Sequence, residues 1–238
     1  MGKAKKAALK SLPANWREMM WAKAAKPEWL RARPQLLPAL AVLWLTGCRP
    51  SEIEKGVSVV WRDQLLVVEI AGTKCIDAGQ RERGQPRRRY AFRTGIAEES
   101  SCPALEVLRV LAMESATDGI GRCFVSHDGD YLYNSIVALG RVAFPKMRTR
   151  VSPYCFRHQH ASDLKSDPNV SLEEAAKAMG HLSDYSIGKY GHAAHGKKGG
   201  RVKALVVETT RPVKHSPKVD RLARFKSASA KRHVHKQS

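Results

Sequence analysis

The chain has 238 residues, with 42 Lys+Arg against 22 Asp+Glu and a formal net charge of +20. Hydrophobic residues make up 43%, enough for one packed domain and too many for a chain disordered throughout. The longest apolar run, residues 36–45, is broken by Pro38 and is about half of the ~20 residues that a membrane span needs, which argues against a transmembrane helix. No apolar segment follows the basic start MGKAKKAALK, as a secretory signal would require. Cys48, Cys75, Cys102, Cys123 and Cys155 are scattered, odd in number and include no CxxC pair, which argues against a disulfide framework or a Cys-rich zinc site. A reducing, cytoplasmic setting is expected.

Such a charge favours a polyanionic partner, most often nucleic acid. The excess is concentrated in three places. Residues 79–93 hold six Arg and one Glu, and residues 141–157 hold five Lys+Arg and no acid. Residues 197–238 hold thirteen Lys+Arg against Glu208 and Asp220. A solvated face or a sticky tail is the alternative reading of each run taken singly.

In chain order, residues 1–11 read as a basic, mobile lead-in. Asn15 with Glu18 has the spacing of a capping box, and Trp16, Met19 and Met20 follow on one helical face. A helix is expected over residues 34–45, stopped at Thr46-Gly47. A short helix restarts at Pro50 and runs to about Lys55. Residues 57–61 and 65–70 are β-branched runs around Arg62-Asp63, the pattern of a hairpin, and residues 88–93 give a third strand. Helices are expected over 103–115, 134–146, 153–166, 171–179 and 184–190, with a second capping box at Ser171 and Glu174. GKKGG at 196–200 reads as a hinge, 202–207 as a strand, and residues from Arg221 onward as disordered. The predicted class is α+β: a mainly helical domain (residues 12–195) with a small antiparallel sheet, preceded by the basic lead-in and followed by a basic tail (196–238).

The sequence contains no GxxxxGK[ST], HExxH or GxSxG motif, and its carboxylates form no metal-binding pattern. No cofactor and no metal are expected. What stands out is an ordered series. TGCRPSEI (46–53) lies at a helix end and GTKC (72–75) follows the hairpin. YCFRHQHAS (154–162) opens a helix, MGH (179–181) closes one, and Tyr190 comes nine residues after His181.

This series resembles the catalytic domain of tyrosine recombinases, the phage integrase family, over roughly residues 12–210. The resemblance implies a site made of Arg49, Lys74, Arg157, His181 and the nucleophile Tyr190, with Glu52 one turn after Arg49. Tyr154 stands where the family usually has a histidine. Tyr185 is the rival nucleophile, but it follows His181 by only four residues. The resemblance also implies that residues 12–195 are the catalytic domain, that double-stranded DNA is the partner, and that the chain assembles on it as a tetramer, with residues 202–213 docking on a neighbouring protomer. A type IB topoisomerase, or a DNA-binding protein with a degenerate site, is the alternative.

The residue types suit that chemistry. A phosphotyrosine stores the energy of a cut phosphodiester, so the strand can be resealed. A phenol of pKa ~10 needs an electropositive pocket to attack. Two guanidiniums can bind the non-bridging oxygens bidentately, and a lysine on a loop can protonate the leaving 5′ oxygen. His181 can bond a phosphate oxygen or manage the phenol proton. As surface charges, Arg49 and Lys74 need no function, Arg157 can pair with Asp163 or Glu173, and Tyr190 can be a core aromatic.

Overall fold

The computed structural model describes residues 8–76, 82–94, 102–197 and 202–219. Residues 8–11 are helical, and Ala8, Leu9 and Leu12 lie in the core. The expected mobile lead-in is therefore partly core, because three apolar side chains share one face between exposed lysine and serine. Helix α1 (Trp16–Ala24) follows Asn15, whose side chain makes no capping bond, and the short α2 (Pro27–Ala32) starts on a proline. Helix α3 (Leu36–Thr46) is buried on nearly every side, as a central core helix must be. It begins later than expected and ends on Gly47, whose φ of 56° is the left-handed cap that glycine supplies. Helix α4 (Pro50–Lys55) follows at once.

Strands β1 (Val57–Arg62) and β2 (Leu65–Ala71) pair as the predicted hairpin. The turn is Asp63-Gln64, with φ of 50° and 62°, one residue on from the expected pair and of the primed type that matches strand twist. Strand β3 (Arg87–Arg93) pairs with β2. After α5 (Pro103–Met113), an unexpected strand β4 (Ile120–Val125) adds to the free edge of β1. Helix α6 spans Gly129–Ala143, starting five residues before the expected position, with Asp128 accepting the Tyr131 N–H at 2.7 Å.

Helix α7 (Pro153–Ser166) and α8 (Leu172–Ala178) match expectation closely. The Ser171–Glu174 capping box forms in both directions. The segment expected as a helix over 184–190 is a 3-10 helix, Asp184–Lys189, that ends before Tyr190. Strand β5 (Val206–Thr209) pairs with β3, which gives a five-stranded antiparallel sheet in the order β4-β1-β2-β3-β5. The segment proposed to dock on a partner thus pairs with the sheet of its own chain here. The fold is α+β. Among the described residues no helix is long and apolar enough to cross a membrane. Residues 198–201 and those from 220 onward, including most of the expected hinge and tail, lie outside the described residues.

Candidate active site

Arg49 caps α4 in an extended conformation. Its backbone N–H donates to Glu52 Oε2 and its Nη1 to Glu52 Oε1, both at 2.7 Å. Glu52 is fully buried and also takes a bidentate pair from Arg88 of β3, at 3.1 and 2.7 Å. Each carboxylate oxygen therefore accepts two bonds. Burial pushes the Glu52 carboxyl up, but the charge and hydrogen bonds of Arg88, with the charges of Arg49 and Arg157, hold it far below the usual carboxylate range.

Arg157 is the fifth residue of α7 and has no exposed surface. Its Nη1 donates to the Gly47 carbonyl at 2.9 Å and its Nη2 to the Met179 carbonyl at 2.7 Å. These carbonyls come from the chain reversals after α3 and α8, where helical acceptors are left over. Nη2 also lies 3.3 Å from His181 Nε2. A guanidinium has no acceptor, so Nε2 accepts and the imidazole proton sits on Nδ1. Burial first, then Arg157, Arg49 and Arg88, push the His181 pKa down to about 2. His181 is neutral at physiological pH. Its Nδ1 is buried without a partner among the described residues, which leaves one imidazole donor unused.

Tyr190 is half-buried against this assembly. Its ring lies 4.7 Å from Arg157 Cζ, stacks on His181 at 5.1 Å between centroids, and sits 5.4 Å from His158. Burial pushes the phenol up, but the charges and hydrogen-bond donors of Arg157 and Arg49 outweigh it and lower its pKa. The pocket therefore makes the phenolate, the form a tyrosine needs to act as nucleophile, easier to reach than in water. Tyr185 is exposed on the 3-10 helix, with Lys218 Nζ 5.9 Å from its ring.

The structure thus gathers Arg49, Arg157, His181 and Tyr190. Lys74 lies on the β2–β3 connection, exposed, and joins none of the hydrogen bonds of this cluster. Tyr154 occupies the first turn of α7 and is partly exposed. Asp163 pairs with Arg17, at 2.9 Å and with both side chains buried, so it is not the partner of Arg157. Sequence reasoning missed Arg88. The signal was present: Arg88 shares strand parity with Tyr90 and Phe92, both buried, which turns one arginine of the RRR run inward.

No family model matches the chain, and no curated relative matches it. Among solved structures it is similar to XerA recombinase at 18% identity and TM-score 0.46, over 76% of this chain and 58% of that one. It is also similar to XerH site-specific recombinase bound to difH substrate. The post-cleavage complex gives 16% identity and TM-score 0.41 over 79% of this chain and 47% of that one. The pre-cleavage complex gives 16% and 0.41 over 80% and 48%. The chain spans about half the length of these proteins.

Proposed function

We propose that the chain cuts and rejoins DNA as a site-specific recombinase, through a covalent 3′-phosphotyrosine on Tyr190. The observation that carries this reading is the Tyr190 phenol, acidified between Arg157 and Arg49 and stacked on a neutral His181. In the forward step the Tyr190 oxygen attacks phosphorus and the bond to the 5′ oxygen breaks. The phenol proton passes to solvent and the 5′ oxygen takes a proton, for which Lys74 is the nearest-matching residue of the motif series. Arg49 and Arg157 stabilise the charge that builds on the non-bridging oxygens, and each such preorganised donor is worth about 3–4 kcal/mol in comparable sites. His181 Nδ1–H is a further donor. In the reverse step the 5′ hydroxyl attacks the phosphotyrosine, so the bond energy is conserved without a nucleotide cofactor. The basic runs supply phosphate contacts, and assembly as a tetramer on DNA completes the reading.

The test uses a pool of end-labelled, nicked duplexes with a randomised central segment. The wild-type protein is expected to give an SDS-stable, protease-sensitive adduct on the 3′ side of the cut, unaffected by chelator. Tyr190→Phe is expected to bind the pool and form no adduct. An adduct on the Tyr190→Phe protein, or one abolished by chelator, overturns the assignment. Retained binding with no wild-type adduct favours a non-enzymatic DNA-binding protein.

A further inference from the structure

The chain leaves its 3-10 helix just before Tyr190, which has an extended backbone (φ −94°, ψ −176°). The carbonyls around this point have no helical successor to bond them. They are met from below by Lys165, a residue in the last turn of α7 with only 5% of its surface exposed. Its Nζ donates to the carbonyls of Ile187 at 3.4 Å, Tyr190 at 3.3 Å and Gly191. Three donors on one ammonium meet three carbonyls of one segment. A buried ammonium without such partners would be strongly destabilising.

A second contact fixes the same segment. A Cβ placed on Gly191 would come within 2.1 Å of Ser162 Oγ and 2.6 Å of the His158 carbonyl. His158, Ser162 and Lys165 lie four and three residues apart, which puts them on one stripe of α7. Above them the His158 ring faces Tyr190. The helix that carries Arg157 therefore also holds the backbone of Tyr190 at short range on either side of Gly191. Farther along, Gln159 Nε2 donates to the His195 carbonyl, and Asp163 Oδ1 accepts the Lys197 N–H, both at 2.9 Å.

We infer that Lys165 is a positioning residue: its buried ammonium anchors the Tyr190 segment on α7, so that the phenol sits against Arg157 of the same chain. The inference builds on Tyr190 as nucleophile but has a readout of its own. The proteins compared are wild type, Lys165→Met, Lys165→Arg and Gly191→Ala. Tyr190 is titrated in each by its ultraviolet phenolate difference against the matching Tyr190→Phe protein. Adduct formation is timed on the nicked pool.

Lys165→Met is expected to titrate Tyr190 at higher pH than wild type. It should slow adduct formation about 10²-fold, the cost of a misplacement on the order of 1 Å, with DNA affinity unchanged. Gly191→Ala keeps the Lys165 charge, so the same upward shift there reports displacement rather than a lost charge. Lys165→Arg keeps charge and donors and is expected to form adduct faster than Lys165→Met. If Lys165→Met does not fold, Gly191→Ala carries the comparison. Wild-type titration of Tyr190 in both variants overturns the inference. A wild-type protein that forms no adduct refutes the nucleophile reading, and the titration still decides the role of Lys165.

Discussion

Glu52 joins Arg49 to Arg88, and its loss separates the stability of the domain from the order of its site. In Glu52→Gln the side chain keeps its shape but loses its charge, and one acceptor oxygen becomes an NH2 group. That group faces arginine N–H donors, either those of Arg88 or those of Arg49. Arg88 is 1% exposed, so it is left as a buried cation with no carboxylate. Removing one partner of a buried pair costs about 3–5 kcal/mol, a large share of the roughly 5–15 kcal/mol that holds a domain together. For a chain of this size the melting temperature should fall by about 6–20 °C.

The assay is urea and thermal denaturation of wild type, Glu52→Gln and the double variant Glu52→Leu/Arg88→Met. The double variant replaces the pair with apolar side chains and should recover most of the stability, because apolar replacements of buried pairs are often neutral or better. It should not recover adduct formation, since Arg49 has lost the carboxylate that orients it. A Glu52→Gln protein within about 1 kcal/mol of wild type would refute the buried-cation argument. A double variant with wild-type adduct rates would refute the orienting role.

His181 predicts an acid sensitivity. Its folded pKa is pushed down to about 2 against an ordinary value of about 6.5, so as pH falls below about 6.5 the unfolded state takes up a proton that the folded state refuses. Stability contributed by the neutral imidazole is present above about pH 6.5 and is lost on acidification, at up to about 1.4 kcal/mol per pH unit; His181→Phe should show a flatter profile in urea titrations. Tyr154→Phe removes a hydroxyl one turn before Arg157 on α7 and, if that hydroxyl bonds the phosphate in the proposed reaction, should slow single-turnover adduct formation about tenfold; a rate as low as that of Tyr190→Phe would point to a misassigned nucleophile. DNA affinity should fall with salt by a log–log slope of about −0.9 per neutralised phosphate. Deleting residues 220–238, which carry six of the Lys+Arg, should make that slope shallower, and an unchanged slope would remove the tail from the interface.

The parts of the fold legible in the sequence were those written in local patterns. The β1–β2 hairpin shows as β-branched alternation, and α8 as a capping box with its reciprocal bonds. Strand β4 was illegible because Gly121 and Arg122 interrupt the β-forming residues Ile120, Phe124 and Val125, and it is a strand through pairing with the edge of β1. The start of α6 was hidden by Asp128-Gly129, which reads as a turn until Asp128 is seen to cap the helix. At the site, motif order supplied Arg49, Arg157, His181 and Tyr190. Strand parity could have turned Arg88 inward, but its partner Glu52 lies 36 residues away, and the partners of Lys165 lie 22 to 26 residues away, so no spacing rule supplies the role of either.

Arg157 combines two tasks that a point charge could not. Its fork reaches Gly47 after α3 with one amino group, and Met179 and His181 after α8 with the other. It thereby ties three elements together, and its fixed plane is what lets it do so. The same plane lies under the Tyr190 ring, which covers the guanidinium and leaves it no exposed surface. Arg49 keeps partial exposure at the mouth of the cluster. In the proposed reaction a phosphate finds Arg49 partly exposed, whereas Arg157 has no exposed surface to offer it. The phenol that covers the second arginine is, in the proposed reaction, the group that attacks.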